Sequence, residues 1–187
     1  MHKLILASQS PRRKQLMEQA ELSFEVMSAN VAETYPEAMT ANAVPEYLAN
    51  KKAMAIDAPD DFVVIAADTI VVLNNKILGK PADEEEAKET LRKLSGKTHE
   101  VITGVCMKKG EQVISFSVTT EVHFRRLSDK QINHYVTKYK PLDKAGAYAI
   151  QEWIGLIGIK RIKGDYYNVV GLPIGKIVKQ LRYLTID

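Results

Sequence analysis

The sequence predicts an α/β fold, and three observations carry the prediction. Apolar, β-branched runs read as strands, Leu4-Ile5-Leu6 near the start and Phe62 to Leu73 further on. Segments with helical spacing and helix-start signals lie between and after them, so strand and helix signals alternate along the chain. The third observation is size: 187 residues, 45% of them hydrophobic, can bury a sizeable core in one domain, or in one domain with two lobes.

The elements follow in order. The strand at Leu4-Ile5-Leu6 leads through Ala7-Ser8-Gln9 to Ser10-Pro11, where Ser10 suits a helix N-cap and Pro11 the first helical position. The first helix is expected from Pro11 to Ala20 with Leu16 and Ala20 inward, and a short strand within Leu22 to Met27. Ser28 to Met39 reads as a polar loop. A second helix from about Ala43 to Ile56 has Pro45 in its first turn and Val44, Tyr47, Leu48, Lys51 and Ala55 near one face. The turn Asp57 to Asp61 leads into Phe62–Leu73, whose β-branched run implies burial on both faces. Asn74-Asn75 suits a tight hairpin turn with positive φ, and Lys76 to Pro81 is the return strand.

Asp83 with Glu86 three residues on opens a third helix, with Ala87, Leu91 and Leu94 inward and Gly96 as its stop. His99 to Leu127 reads as two long strands joined at Lys109-Gly110-Glu111. Ser128 and Gln131 form a capping box for a helix through about Tyr139. Small residues in Pro141 to Gln151 allow close backbone approach, and Leu156–Ile162 and Tyr166–Val170 read as strands. Gly171-Leu172-Pro173 opens the last helix, with Ile174, Ile177, Val178 and Leu181 as its apolar stripe. Neither a fixed-period repeat nor a low-complexity segment is visible.

Composition excludes several classes. A net charge of +3, with aromatics at 7% and scattered, gives neither the basic stripe nor the stacking platform of a nucleic-acid-binding protein. No apolar run is long enough to span a membrane, and the apolar start lacks the cleavage pattern of a signal peptide, so a cytoplasmic protein is expected. The single cysteine, Cys106, lies in an apolar run and reads as a small core residue; with four scattered histidines it offers no zinc spacing. Ser95-Gly96-Lys97-Thr98 is not a P-loop. Leu91 stands where the first glycine belongs, and the helix comes before the motif instead of after it.

The residues that bear chemistry sit at element ends. Arg12 and Arg13 fall in the first turn of a helix, an electrostatically costly place for cations unless an anion sits there. With Ser8, Ser10 and the helix N–H groups they form a candidate polyphosphate site; the alternative is a solvated helix start. Asp68 interrupts the strongest strand, and a buried carboxylate needs a metal, a proton or an ion-pair partner. Glu33 in the polar loop is a second carboxylate, or an ordinary exposed one. Lys51 and Lys52 point in different directions, so one can reach a cleft while the other is solvated. Lys80 follows the return strand. Gln151 carries a donor and an acceptor and can read a base edge, or serve as a buried structural glutamine. Cations beside carboxylates suit metal-bound phosphate chemistry, in which carboxylates hold a hard divalent ion and cations neutralise phosphoryl charge.

Six ordered motifs carry a resemblance: Leu6-Ala7-Ser8-Gln9-Ser10-Pro11-Arg12-Arg13, Ala67-Asp68-Thr69, Leu78-Gly79-Lys80-Pro81, Ser95-Gly96-Lys97-Thr98-His99, the stretch Asp143 to Gln151 (Asp-Lys-Ala-Gly-Ala-Tyr-Ala-Ile-Gln), and Val170-Gly171-Leu172-Pro173. Together they resemble the Maf family of nucleoside triphosphate pyrophosphatases, over residues 4 to about 181. The resemblance implies an α/β fold similar to that of inosine triphosphate pyrophosphatases: an elongated mixed sheet with flanking helices, and two lobes around a cleft in one Maf-like domain spanning 1–187. Homodimers are common in the family. The implied reaction hydrolyses a nucleoside triphosphate to the monophosphate and pyrophosphate, with water attacking the α-phosphorus and a divalent cation, Mg²⁺ or Mn²⁺, present.

By the same resemblance Asp68 matches the family's proton acceptor. Ser8, Arg13, Glu33, Lys52 and Lys80 match its triphosphate and metal environment, with Glu33 and Asp68 toward the metal. Arg12, Thr69 and Gln151 match positions that set base preference. Thr69 and Gln151 are similar to the branch acting on dTTP and UTP, with modified pyrimidine nucleotides as further substrates. A glutamine amide can donate to a thymine or uracil carbonyl and accept from N3–H, which cytosine lacks. The chain departs from that branch at Glu152-Trp153, where glycine often stands first. Asp68 as base and Asp68 as metal ligand compete for the same lone pairs. The alternative class is a non-catalytic nucleotide-binding regulator of cell division.

Overall fold

The structure, a computed structural model, describes residues 3–184. Seven strands and seven α-helices alternate along them: β1 (Lys3–Leu6), α1 (Pro11–Gln19), β2 (Phe24–Val26), α2 (Val44–Met54), β3 (Phe62–Leu73), β4 (Lys76–Leu78), α3 (Glu84–Leu94), β5 (Thr98–Lys109), β6 (Gln112–Phe124), α4 (Asp129–Tyr139), α5 (Trp153–Gly158), β7 (Ile159–Lys163), α6 (Tyr166–Val170) and α7 (Ile174–Leu184). The strands are hydrogen-bonded in the order β2-β1-β3-β5-β6-β7, with β4 on β3. Parallel and antiparallel pairs both occur, so the sheet is mixed, as the family resemblance implies.

The chain divides into two compact units. The first holds Met1–Asp68, Thr103–Val118 and Gly171–Asp187. In it β1 pairs in parallel with β2 on one side and with β3 on the other, with Leu6 opposite both Val26 and Ile65. The crossover β1-α1-β2 runs toward one edge of the sheet and β2-α2-β3 runs back past β1 toward the other, which makes the carboxyl end of β1, beside the middle of β3, a topological switch point. Ile5, Val64 and Cys106 pack with Ala49 and Ala53 of α2. The small alanines let the helix lie close to the strands, and Cys106 is fully buried, as expected of a core residue. Gly104 in β5 backs onto the start of α2: a Cβ there would lie 2.2 Å from the Glu46 nitrogen.

The second unit holds Thr69–Ile102 and Thr119–Val170. Asn74 and Asn75 take φ of 50° and 61° in the β3–β4 turn, the left-handed pair that the sequence requires. The return strand is shorter than expected and ends at Leu78. Asp83 caps α3 by accepting from the Glu86 N–H at 2.8 Å, and Ser128 with Gln131 completes a capping box on α4. The unit's core includes Val71, Leu91, Leu94, Phe124, Tyr135 and Ile154.

Five expectations are corrected. Residues 156–162 are not one strand: residues through Gly158 finish helix α5 and β7 begins at Ile159. Tyr166–Val170 is a helix, because the Asp165 carboxylate accepts from the Tyr167 N–H at 2.8 Å and starts a turn. Its aromatic and β-branched residues favour a strand only where a sheet is there to receive them. On α2 the buried face holds Leu48, Ala49, Lys52 and Ala53, one position on from the expected one, and Tyr47 is exposed. Ser10 occupies the N-cap of α1, but its side chain makes no capping bond; its N–H donates to Ser8 Oγ at 3.2 Å. On α7 Val178 faces outward at 37% exposure, while Ile177 and Leu181 are buried as expected.

His99 carries the clearest pH dependence of the second unit. It is 2% exposed, its Nε2 and the Tyr148 hydroxyl share a 2.7 Å hydrogen bond, and its ring meets Phe124 and Tyr148 edge-on. Burial pushes its pKa down from 6.5 to about 4, with the nearby His123 adding in the same direction. The folded state thus binds fewer protons than the unfolded one between those values, so His99's contribution is intact above pH 6.5 and is lost as pH falls toward 4. By linkage the loss at pH 4.5 is about 2–3 kcal/mol. Urea unfolding at pH 7 and pH 4.5 checks this: the stability difference between the two pH values should shrink by that amount in His99→Phe, and an unchanged difference contradicts it.

Candidate active site

The site begins where β1 ends. Leu6 is opposite Ile65, and the Ala7 N–H still donates to the Ile65 carbonyl at 2.8 Å. β1 then turns away through Ser8 while β3 continues, so Ala67 and Asp68 extend past the end of their neighbour. Ligands of open α/β sheets bind outside such carboxyl ends at a switch point, because one crossover leaves to each side and opens a crevice there.

Asp68 is 8% exposed and Lys52, on the inner face of α2, is 9% exposed. Their charged ends lie 2.6 Å apart, Lys52 Nζ donating to Asp68 Oδ1. The same ammonium donates to Glu33 Oε1 at 2.7 Å, and the Glu33 side chain is half exposed. One cation thus joins a buried carboxylate on β3 to a surface carboxylate on the loop after β2. Charges are buried only when paired and hydrogen-bonded, so Lys52 and Asp68 depend on each other. Lys51 points the other way, as expected of adjacent helical residues, and donates to the Ala32 carbonyl at 2.7 Å. It secures the loop that presents Glu33.

Arg13 links the start of α1 to this group. Its Nη1 donates to the Ala67 carbonyl at 2.8 Å and to Ser8 Oγ at 3.3 Å, and its Nε donates to the Gly171 carbonyl at 2.8 Å. Removal from water lowers its pKa from the ordinary arginine value; Asp68 and Glu33 oppose that shift and Arg12 adds to it. The guanidinium is therefore a clamp across three segments as well as a fixed positive charge beside Asp68. These carbonyl anchors were not legible in the sequence. The one signal was Gly171, whose φ of 129° belongs to the range that favours glycine.

Ser8, Arg13, Glu33, Lys52 and Asp68 thus form one linked cluster in the first unit, with Arg12 next to Arg13 and half-buried. Thr69, Lys80 and Gln151 belong to the second unit. There Thr69 is half-buried in β3, Lys80 is exposed after β4, and Gln151 is exposed in the turn before α5. Exposure of Gln151 removes the alternative of a buried structural glutamine. Among the described residues no group of three or more His, Cys, Asp or Glu converges as a ready-made metal cage. The donor set is instead two carboxylates. That set suits a hard divalent cation completing its shell with water and phosphate oxygens, as Mg²⁺ commonly does.

The Maf-like protein family matches residues 3–184. A dTTP/UTP pyrophosphatase of Cytophaga hutchinsonii is 52% identical over 179 residues, 95% of this chain and 82% of that protein. Proteins of the same name from Phocaeicola vulgatus and Bacillus cereus are each 48% identical, over 98% and 100% of this chain and 96% and 98% of their own lengths. Among solved structures a HAM1 protein from Coxiella burnetii matches with a TM-score of 0.45 at 15% identity, over 68% of this chain and 75% of that one. The chain belongs to the Maf-like protein family.

Proposed function

We propose that this protein is a nucleoside triphosphate pyrophosphatase acting on dTTP and UTP, releasing the nucleoside monophosphate and pyrophosphate. The observation that carries the reading is the Lys52 ammonium joining Asp68, buried in β3 just beyond the carboxyl end of β1, to Glu33, with Arg13 and Ser8 beside it. Relatives about half identical over nearly the whole chain bear the name of that activity, which favours an enzyme over a non-catalytic regulator.

Each residue has a task. Asp68 accepts the proton of the water that attacks the α-phosphorus, and Lys52 fixes the orientation of its carboxylate. Arg13, Arg12 and Lys80 neutralise the triphosphate, with the Ser8 hydroxyl as a further donor. Glu33 and Asp68 would hold a divalent cation, which would supply Lewis-acid polarisation of the phosphoryl oxygens. Thr69 and Gln151 face the base. The Gln151 amide donates to a pyrimidine carbonyl and accepts from N3–H, so cytosine is rejected for lack of that proton. The working form is a homodimer of one Maf-like domain, and its place is the cytoplasm. Among the described residues no helix is long and apolar enough to cross a membrane.

Pyrophosphate release from dTTP, UTP, CTP, GTP and 7-methyl-GTP tests the reading. Release should be concentrated on dTTP and UTP, require Mg²⁺ or Mn²⁺ and stop with chelator. Release from 7-methyl-GTP instead would overturn the roles of Thr69 and Gln151. Asp68→Asn should lower kcat by about 10²–10⁴-fold with KM nearly unchanged, as for a group acting mainly in the transition state. Equal losses in kcat and affinity, or no loss, would contradict its role as base.

A further inference from the structure

Gln151 sits between Ala149 and Glu152, both tied to helix α4, the first by its backbone N–H and the second by its carboxylate. Tyr135 of α4 is fully buried, and its hydroxyl donates to the Glu152 carboxylate. The same oxygen accepts the Ala149 N–H at 3.2 Å. A single phenol therefore holds the chain on both sides of Ile150 and Gln151. Glu152 has a second partner in Lys144, whose Nζ lies 3.5 Å from its Oε1 and 2.7 Å from Asp143 Oδ1. The next residue, Trp153, meets His134 of α4 edge-on with ring centroids 4.8 Å apart.

The backbone between these anchors has little freedom. The Glu152 N–H donates to the Ala149 carbonyl at 3.1 Å and the Gly155 N–H to the Glu152 carbonyl at 2.9 Å. A Cβ on Gly155 would lie 1.7 Å from the Ile150 oxygen, so the start of α5 is seated directly against the Ile150 peptide. Only the side chain of Gln151 is left exposed. Burial, the Glu152 hydrogen bond and its charge all raise the Tyr135 pKa, so the phenol remains a donor throughout the working range.

Glu152 and Trp153 are both anchored on α4, the first through Tyr135 and the second through His134. We propose that Tyr135 and Glu152 are positioning residues for base selection, clamping the turn that presents Gln151 so that its amide is already oriented when a pyrimidine base arrives. The clamp rests on the assignment of Gln151 as base reader. A preoriented amide loses little freedom on binding, and its geometry is strict, so both affinity for dTTP and discrimination against CTP depend on it.

The test measures kcat and KM for dTTP and CTP in Tyr135→Phe, Glu152→Ala, Glu152→Gln and Gln151→Ala. Tyr135→Phe and Glu152→Ala should each lower the dTTP:CTP ratio of kcat/KM by about tenfold, mainly through a higher KM for dTTP. The double variant should be no worse than either alone, because both break the same contact. Glu152→Gln keeps an oxygen that accepts from the Tyr135 hydroxyl and should restore most of the ratio. If Gln151→Ala lowers the ratio while Glu152→Ala, folded by circular dichroism, leaves it at the parent value, the clamp is overturned and the base reader stands. If Gln151→Ala leaves the ratio unchanged, the base reader fails and the clamp with it. Equal falls in kcat for both nucleotides with an unchanged ratio would reduce Tyr135 and Glu152 to a structural role and also overturn the proposal. Glu152→Ala, on a partly exposed side chain, carries the test should Tyr135→Phe fail to fold.

Discussion

The Lys52–Asp68 ion pair is the constraint around which the first unit is arranged. Two opposite charges, each under a tenth exposed, are held 2.6 Å apart between a helix and a strand. Removing either partner strands a buried charge, a loss that typically costs about 3–5 kcal/mol, whereas two well-packed apolar residues would hold the same place at no loss of stability. Stability therefore does not explain the pair. The same lysine is shared with the more exposed Glu33, so the pair holds two carboxylates and a cation together just beyond the end of β1.

Everything near that pair follows from strand order. Because β1 lies between β2 and β3, the chain crosses to opposite sides of it, and the residues just past the ends of β1 and β2 gather beside Asp68 of β3: Ser8 and the α1 arginines after β1, the Glu33 loop after β2. Arg13 shows how the geometry is held. Cations in the first turn of a helix meet a repulsive dipole, and here Arg13 is stabilised by two backbone carbonyls and the charge of Asp68. The arginine that looked misplaced on an isolated helix is well placed once β3 and the Gly171 turn are beside it.

That contrast measures what the sequence could reveal. β3 was legible from end to end, since its β-branched run and the Asn74-Asn75 turn are local signals. The caps at Asp83 and Ser128 were legible for the same reason. Failures came where distant partners decide. Tyr166–Val170 has the composition of a strand but starts from an Asp165 cap and buries Asn168, whose amide donates to the Val101 carbonyl and to Thr120 Oγ1. On α2 Lys51 was taken for the inner face in place of Lys52, because the choice between two adjacent lysines is made by Asp68, sixteen residues away from Lys52. Of the linked cluster, Ser8, Arg13 and Asp68 stand within the ordered motifs, whereas Glu33 and Lys52 lie outside them. The carbonyl anchors of Arg13 and the shared use of Lys52 were not readable, because no local pattern encodes a contact between segments far apart in the chain.

The central claim is that the cluster around Asp68 directs water onto the α-phosphorus. Hydrolysis of dTTP in water enriched in ¹⁸O, with the products separated by mass, tests it most directly. The account predicts one heavy oxygen in the nucleoside monophosphate and none in the pyrophosphate. Label in pyrophosphate or in free phosphate would place the attack on another phosphorus and contradict the account.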